Sequence, residues 1–303
     1  MKTVWVTGSN GFIGSHIVEY LLAEEKYDVF GISKGDNRLD HLSVLKYCDV
    51  DLSGDFEVRI KKSLPTPNII IHCAAISQVD VCESNPELCE QINVNTTQKL
   101  ISIAEQTHAE FVFFSSDFVF DGTQKTIYEG DKTSPISVYG KSKEKAERLV
   151  QNSKLNWSII RPVLVYGYSK TASRNNIFSW VYNALKNKKK LHVVNDQFRT
   201  PTLVADVVNV VSQILERRST GIYHIGGKDV ISVHEFAVQI ARISGEDETL
   251  ILEKSSDLVG GGKLRPRYSC ADISRIKEEF QITPLGFEEG ISYAIEQIEN
   301  TNG

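Results

Sequence analysis

The run Thr3-Val-Trp-Val-Thr7, Gly8-Ser-Asn-Gly11-Phe-Ile-Gly14 and Ser15-His-Ile-Val-Glu-Tyr-Leu-Leu-Ala23 decides the fold. It reads as an apolar strand, a glycine loop and an amphipathic helix, in that order. Without a Cβ atom, Gly8 and Gly11 permit a tight turn and a close approach to a pyrophosphate, while Gly14 lets the helix pack on the strand. Free N–H groups at the helix N-terminus attract the same anion. The run therefore predicts a dinucleotide site, with contacts expected at Gly8, Asn10, Gly11, Phe12, Ile13 and Gly14.

Further apolar segments rich in Val, Ile and Phe alternate with helical patterns along the chain. They are Val29-Ile32, Leu45-Asp49, Ile69-Cys73, Phe111-Ser115 and Trp157-Arg161. Such alternation is typical of βαβ units in a parallel sheet, and continuous apolar strands indicate that helices cover both faces. We therefore predict an α/β fold with a doubly wound parallel sheet of the Rossmann type, whose ligand lies at the carboxyl ends of the strands.

The alternating pattern becomes less regular after Arg161, which suggests a second unit. We assign residues 1–165 to the dinucleotide-binding domain and expect residues 203–226, a helix followed by a strand, to return to it. Residues 166–202 and 227–303 are predicted to form a smaller, mainly C-terminal substrate-binding cap. A length of 303 residues suits this division, because single hydrophobic cores stop growing near this size.

The composition restricts the partners that the chain can have. With 41% hydrophobic residues, 24% charged residues and a net charge of -5, it is an ordinary globular protein with little capacity for nonspecific nucleic-acid binding. It has neither an apolar run of about 20 residues nor a signal-peptide pattern, and its five cysteines form no Cys-x-x-Cys pair. We expect a cytoplasmic protein with reduced thiols and no nucleic-acid or membrane partner. No residue is assigned to a metal, and both the metal requirement and a homodimer are left open.

Residues after the second and third strands bear on the choice of dinucleotide. A ribose 2′-phosphate needs cationic or polar neighbours, whereas the free hydroxyls of NAD favour an acidic residue. Ser33, Lys34 and Arg38 suit the phosphate, while Asp36 leaves NAD open, so we predict NADP(H) in preference to NAD(H). Asp51 is expected to accept a hydrogen bond from the adenine amino group. Further cofactor contacts are expected at Leu52, Ala74 and Ala75.

Reduction of a carbonyl group requires a hydride donor and an acid, and a Tyr with a Lys four residues later provides the acid on one helix face. Four such pairs occur: Tyr128/Lys132, Tyr139/Lys143, Tyr166/Lys170 and Tyr182/Lys186. Only Tyr139/Lys143 begins a crossover helix beside the strand that ends at Ser115, Ser116 and Asp117. The lysine charge is expected to lower the pKa of the phenol from about 10 towards neutrality. A serine hydroxyl at this edge could hold the carbonyl oxygen.

Two segments carry a resemblance to a known family. Ser115-Ser-Asp-Phe-Val-Phe-Asp-Gly122 and Pro135-Ile-Ser-Val-Tyr-Gly-Lys-Ser-Lys143, together with the Gly-x-x-Gly-x-x-Gly loop, resemble the dTDP-4-dehydrorhamnose reductase branch of the extended short-chain dehydrogenases/reductases. Shorter matches over most of the chain support the resemblance: Ala74-Ala75, Val79-Asp80, Glu83-Ser84, Asn175-Asn176-Ile-Phe178, Asp196-Gln197 and Pro201-Thr202. The resemblance implies that Ser116 orients the substrate carbonyl, that Tyr139 is the acid and that Lys143 tunes Tyr139 and holds the nicotinamide ribose.

The chain departs from this branch in three places. Phe118 stands where the family usually has Tyr, Arg199 stands where it has Gly, and Pro162-Val-Leu-Val-Tyr166 replaces a Thr-Ser-Trp-Val-Tyr segment whose Trp faces the sugar. The last segment is similar to the wider epimerase and dehydratase group. The resemblance therefore leaves the identity of the sugar open.

Guanidinium groups match the oxygens of a diphosphate, so arginines are candidates for substrate binding. The candidates are Arg161, Arg199, Arg265 and Arg267, each of which could equally form a surface ion pair. Substrate contacts are also expected at Ser116, Asp117 and Asn176.

Three functions agree with these residues. The first is an NAD(P)H-dependent reductase of the 4-keto group of a nucleotide-linked deoxysugar. The second is an epimerase or dehydratase that retains NAD. The third is a non-catalytic dinucleotide-binding protein, because the resemblance extends to a regulatory subunit of methionine adenosyltransferase. Cofactor consumption separates the first two, and a stoichiometric protein partner without turnover would favour the third.

Overall fold

The computed structural model describes residues 1–171 and 176–302. Its strands, in chain order, are Lys2–Thr7 (β1), Tyr27–Ser33 (β2), Lys46–Asp49 (β3), Ile69–His72 (β4), Glu110–Phe114 (β5), Trp157–Pro162 (β6), Val165–Tyr166 (β7), Leu191–Val194 (β8), Phe198–Arg199 (β9), Thr202–Leu203 (β10), Gly221–Ile225 (β11), Ile231–Ser232 (β12), Ile251–Lys254 (β13) and Tyr268–Ser269 (β14). Its α-helices are Phe12–Ala23 (α1), Glu57–Ser63 (α2), Val79–Ser84 (α3), Pro86–Glu90 (α4), Thr96–Thr107 (α5), Val138–Gln151 (α6), Ile177–Lys186 (α7), Val204–Arg217 (α8), Val233–Ile243 (α9), Ser274–Phe280 (α10) and Phe287–Asn302 (α11).

Seven strands form one parallel sheet in the order β11-β6-β5-β4-β1-β2-β3. The strand order reverses between β1 and β4, which is the point where ligands bind in doubly wound sheets. The six strands predicted from the sequence are all present, with ends within two residues of the expected ones. Strand β11 (Gly221–Ile225) pairs with β6 at one edge of the sheet. The predicted fold class is confirmed.

The strands of the sheet are apolar without a break because both of their faces are buried. In β4, Ile69 and Ile71 pack into a cluster with α1 and α8, whereas Ile70 points to the opposite cluster with α5 and α6. Each strand thus contributes to two cores, which explains the absence of a polar and apolar alternation.

A smaller unit packs beside the sheet and is formed by α7, β8, α9, β13 and α11. Its core contains large buried side chains from separate parts of the chain, among them Tyr166, Phe178, Phe236 and Ile291. Short strands form separate small sheets, in which β7 pairs with β10 and β9 pairs with β12 and β14.

Helix α10 lies in the segment that we predicted as cap, but it packs elsewhere. Ile276 and Phe280 belong to the same cluster as β1, α1 and α8 of the main sheet. The sequence does not predict which core this helix covers, because the apolar stripe of a short helix is the same for either packing partner. This helix therefore belongs with the sheet rather than with the smaller unit.

Within residues 1–171 and 176–302, no helix is long and apolar enough to cross a membrane.

Candidate active site

The glycine loop at the end of β1 approaches the neighbouring chain so closely that side chains are excluded. Gly8 has a φ of 72°, and a Cβ atom there would lie 2.7 Å from the Ala74 amide nitrogen. At Gly14 it would lie 2.2 Å from the Gly8 carbonyl oxygen, and at Gly11 it would lie 3.0 Å from that oxygen. The loop is thus a backbone cradle at the N-terminus of α1, which fits the pyrophosphate of a dinucleotide.

Asn10, a predicted cofactor contact, holds the loop that follows β2. Its Nδ2 atom donates to the Tyr47 hydroxyl and to the Asp36 carbonyl, both at 2.9 Å, and its Oδ1 atom accepts from the Arg38 amide at 3.1 Å. Its own amide donates to the Ser33 hydroxyl at 3.1 Å. Asn10 therefore shapes the adenosine side of the site through the loop that carries Asp36 and Arg38.

Lys34, predicted to contact a ribose 2′-phosphate, and Asp51, predicted to contact the adenine amino group, form an ion pair of 2.7 Å with each other. Asp51 also accepts from the amide and the hydroxyl of Ser53. The hydrogen bonds from Lys34 and Ser53 lower the pKa of Asp51 to about 2. Asp51 thus already has partners for its carboxylate, and Leu52 beside it borders a cavity of about 270 Å³ lined by Leu52, Ser53, Gly54, Asp55, Gln91, Asn95, Thr96 and Lys99.

Helix α6 places the predicted catalytic pair at the carboxyl edge of the sheet. Ser137 caps the helix by accepting a hydrogen bond from the Gly140 amide at 3.0 Å, so Tyr139 lies in the first turn. Gly140 is required here, because a Cβ atom would lie 2.2 Å from the Phe118 carbonyl oxygen. This close approach brings α6 against the turn Asp117–Val119, which follows β5.

Tyr139 and Ser116 meet at this edge. Tyr139 is only 8% exposed and makes an edge-to-face contact with Phe118, with ring centroids 5.7 Å apart. Burial raises the pKa of the phenol above its ordinary value, and hydrogen bonding by Ser116 opposes that rise. The expectation that the phenol is shifted towards neutrality is wrong for the protein alone, because removal from water outweighs the favourable interactions.

Lys143 lies one turn after Tyr139 and is almost fully buried. Its ammonium group lies 4.2 Å from the centroid of the Phe113 ring. Burial lowers the pKa of Lys143 to about 8, and the Glu147 carboxylate opposes that change. Because burial removes water from the ammonium group, its charge depends on stabilisation by neighbouring groups such as the Glu147 carboxylate.

Arg161 was predicted to contact the substrate, but its side chain is engaged in the interior of the protein. Its guanidinium forms a bidentate ion pair with Glu147, at 2.8 and 2.6 Å, and its remaining nitrogen contacts His224 at 3.3 Å. Both charged side chains are at most 3% exposed. The prediction of a substrate contact at Arg161 is therefore wrong, because the buried carboxylate already occupies the guanidinium fork.

Asn176 and Arg199 are also engaged with their own chain. Asn176 caps α7 by accepting from two helix amides and donates to the Gly167 carbonyl at 2.8 Å, which leaves its amide little capacity for a substrate. Arg199 donates to three carbonyl oxygens and to the Gln197 side chain. It borders a cavity of about 380 Å³, called the main cavity below, but it is only 3% exposed and is held by these hydrogen bonds. Asn175, which precedes Asn176 in the segment that resembles the reductase branch, lies outside the described residues.

Arg265 is the candidate arginine that faces the cleft with the most freedom. It lines the main cavity, pairs with Asp80 of α3 at 2.8 Å and donates to the Gly261 carbonyl at 2.8 Å. The pair thereby connects the segment after β13 to the dinucleotide-binding half. Arg267 is exposed and lies against the Tyr268 ring.

The main cavity, of about 380 Å³, lies between the carboxyl edge of the sheet and the smaller unit. Its lining residues are Asp117, Phe118, Leu164, Trp180, His192, Val193, Val194, Gln197, Arg199, Val233, Val259, Gly262 and Arg265. Leu164 adopts a φ of 37°, which is uncommon for a branched side chain and marks a strained position in the wall. The cavity is mostly apolar with a few convergent polar groups, as small-molecule sites usually are.

Two residues of this region were not found from the sequence. Trp180 is 38% exposed on α7, whose buried residues are Phe178, Val181 and Leu185, and this large apolar residue off the buried stripe was a usable signal. Ser269 donates a short hydrogen bond to Asp117 from a position 152 residues away. No local pattern could have predicted that contact.

A glycine cradle at the strand-order reversal and a Ser, Tyr and Lys group beside a cleft define a dinucleotide-binding oxidoreductase of the extended short-chain dehydrogenase/reductase type. Residues 1–300 match the family described as RmlD substrate binding domain, and the chain belongs to that family.

Similar proteins cover nearly the whole chain. The spore coat polysaccharide biosynthesis protein SpsK of Bacillus subtilis is 30% identical over 294 residues, with 96% of each chain covered. Methionine adenosyltransferase 2 subunit beta of Xenopus tropicalis is 28% identical over 281 residues, with 89% of this chain and 81% of the relative covered. The structure of dTDP-4-dehydrorhamnose reductase from Bacillus anthracis in complex with NADP superposes with a TM-score of 0.83 at 26% identity, with 98% and 99% of the two chains covered.

Proposed function

We propose that this protein uses NAD(P)H to reduce the 4-keto group of a nucleotide-linked deoxysugar. The observation that carries the proposal is the contact of Ser116 with Tyr139 at the carboxyl edge of the sheet, one helical turn before Lys143 and beside the Asp117 and Phe118 wall of the main cavity. The similarity to dTDP-4-dehydrorhamnose reductase from Bacillus anthracis supports the same reaction. The dinucleotide, when bound, supplies the hydride.

Tyr139 is proposed to donate its phenolic proton to the oxygen that becomes the hydroxyl group. Burial raises the pKa of Tyr139, so the phenol is protonated at neutral pH and ready to act as an acid. Ser116 is proposed to hold the carbonyl oxygen in place. Lys143 lies on the same helix face and would hold the nicotinamide ribose and favour loss of the phenolic proton.

The nucleotide-sugar is proposed to bind between the edge of the sheet and the smaller unit, with Arg265 as the charged contact that faces the cavity. Arg265 could exchange Asp80 for a diphosphate, since a guanidinium fork fits both anions. The apolar wall formed by Leu164, Trp180 and Val193 suits the less polar face of a deoxysugar.

NADP(H) is proposed as the preferred dinucleotide. Lys34 is 76% exposed and Arg38 is exposed on the same loop, so both can reach a 2′-phosphate. The phosphate would compete with Asp51 for Lys34, and that competition limits the preference. A cytoplasmic location and a homodimer belong to the same proposal.

The test is oxidation of NADPH and of NADH with a dTDP-4-dehydro-deoxysugar generated in the assay. We expect turnover with both cofactors and a lower KM for NADPH. Tyr139→Phe should lower kcat by about 100- to 10,000-fold, because the proton donor is lost. Tyr128→Phe is the matched control, since Tyr128 begins another Tyr/Lys pair but is 52% exposed in a turn, and it should leave kcat unchanged.

Other outcomes would decide against the proposal. If the wild type binds dinucleotide but consumes none, the reductase function fails for that sugar. Retention of NAD through purification without net consumption would support an epimerase or dehydratase. A stoichiometric protein partner in the absence of turnover would support a regulatory role.

A further inference from the structure

The carboxyl group of Asp117 is held from two sides by serine hydroxyls. Ser116 donates to Oδ1 at 2.9 Å from the same turn, and Ser269 of β14 donates to Oδ2. Asp117 is 4% exposed and Ser269 is fully buried. The hydrogen bond between Asp117 and Ser269 therefore connects the carboxyl edge of the sheet to β14, which is far away in the sequence.

The proton count at Ser116 determines what this hydroxyl can do. A serine hydroxyl has one proton to donate and two lone pairs that accept. Ser116 Oγ already accepts from the Phe118 amide at 3.2 Å and gives its proton to Asp117, which leaves one lone pair for the Tyr139 phenol. In that arrangement it has no proton left for a carbonyl oxygen.

A neutral Asp117 reverses this hydrogen bond. Its carboxylic proton would be donated to Ser116 Oγ, which would then accept two hydrogen bonds and release its own proton for another acceptor. Ser269 can donate to the other carboxyl oxygen in both states. The same three residues thus allow two arrangements that differ by one proton.

We propose that Asp117 is a positioning residue whose protonation directs the Ser116 hydroxyl proton either to Asp117 or to the substrate carbonyl oxygen, with Ser269 setting the balance. This inference rests on the proposed reductase function and deepens it. It assigns Ser269 a role in the reaction, and it changes the role of Asp117 from a substrate contact to a group that acts through Ser116.

The surroundings of Asp117 favour the neutral form more than water does. Burial raises the pKa of the carboxyl group, while the Arg199 charge and the hydrogen bonds from Ser269 and Ser116 oppose that rise. The groups that face it are Arg199 from β9, Tyr139 from α6 and Cys270 after β14. The neutral, donating arrangement exists below the pKa of Asp117 and is lost as pH rises through it. Activity that depends on Ser116 should decline in the same direction.

The experiment compares pH profiles of kcat and KM for the wild type, Asp117→Asn and Ser269→Ala. Asparagine imitates the neutral acid, because Nδ2 can donate to Ser116 while Oδ1 accepts from Ser269, but it does not titrate. We expect Asp117→Asn to keep kcat near the low-pH value of the wild type and to abolish a descending limb. Ser269→Ala should move that limb upward by about one to two pH units, because a hydrogen bond that favours the carboxylate is removed.

Ser274→Ala is the matched control, because it removes a hydroxyl hydrogen bond to Asp272 at the surface, and its profile should follow the wild type. A wild-type profile without a descending limb, or a limb unchanged in Asp117→Asn, would overturn the inference while leaving the reductase function in place. A raised KM for Asp117→Asn at every pH would also overturn it, since that result indicates direct contact with the substrate.

Infrared titration of the protein alone separates the two proposals. When the spectrum of Asp117→Asn is subtracted, one carbonyl stretch of a neutral carboxyl group should remain at low pH, disappear as pH rises and move to higher pH in Ser269→Ala. If no sugar is reduced but this band behaves as expected, the reductase function fails, whereas the titration of Asp117 between its neutral and ionised forms is supported. If Asp117 is ionised throughout, the inference fails.

Discussion

Lys143 is a charged residue that the fold buries next to an aromatic ring. It is 2% exposed, and burial lowers its pKa from the ordinary 10.5 to about 8. The protonated form is thus less stable in the folded protein than in the unfolded chain. Between pH 8 and 10.5 the unfolded chain binds more protons, so the free energy of unfolding rises with pH in this window and is lowest below it.

Replacement of Lys143 by Met should therefore stabilise the protein without cofactor at neutral pH. The gain expected from the shifted pKa is about 3 kcal/mol at pH 7, and it should shrink as pH approaches 10. Urea unfolding at pH 7 and pH 9.5 measures it. Lys141→Met, at an exposed position of the same helix, should show neither effect. A variant that is equally stable or less stable at pH 7 would contradict the expected cost of the buried charge.

At the scale of single elements, the junction of β1 and α1 depends on Gly14. A Cβ atom there would lie 2.2 Å from the Gly8 carbonyl oxygen, so any side chain forces the helix away from the loop. Because the helix N-terminus and the loop together form the pyrophosphate cradle, displacement should affect stability and binding at the same time.

We expect Gly14→Ala to lower the free energy of unfolding by about 1–3 kcal/mol and to weaken NADPH binding at least tenfold. Urea unfolding and quenching of tryptophan fluorescence by NADPH measure the two effects. Gly130→Ala is the control: in the described part of the chain no heavy atom comes within 4 Å of a Cβ atom built there. Tight NADPH binding by Gly14→Ala would show that the dinucleotide does not use this cradle.

The elements that the sequence predicts well are those defined by local patterns. The strands of the main sheet are short apolar runs between helical segments, and their parallel arrangement follows from the glycine loop and the alternation of strands and helices. Helix α10 was placed with the wrong unit because Ile276 and Phe280 define an apolar stripe but not its partner. The capping role of Asn176 was also missed, although Asn is a favoured residue at that position.

For the molecule as a whole, the sequence identifies reacting groups better than it identifies their neighbours. Tyr139 and Lys143 were selected by their position on a crossover helix, whereas the buried partner of Arg161 and the hydrogen bond from Ser269 depend on contacts across the fold. The spacing of Tyr and Lys can be found in the sequence alone. The burial that raises the pKa of Tyr139 depends on the folded structure.

The packing of α10 on the main sheet gives a prediction at this scale. Ile276 is fully buried among residues of β1, α1 and α8. Ile276→Ala should therefore lower the free energy of unfolding by about 2–5 kcal/mol, the usual cost of a cavity in a core. Leu258→Ala, which is 71% exposed, should cost well under 1 kcal/mol. A small effect of Ile276→Ala in urea unfolding would place α10 outside the core.

The position of α10 also has a consequence for biosynthesis. The ribosome makes β1 long before Ile273 and Ile282, which cover part of the same face of the sheet. That part of the apolar surface therefore stays exposed while the more than 200 residues between them are synthesised. Chaperones bind surfaces of this kind, so we expect the nascent chain to bind them until α10 has been made.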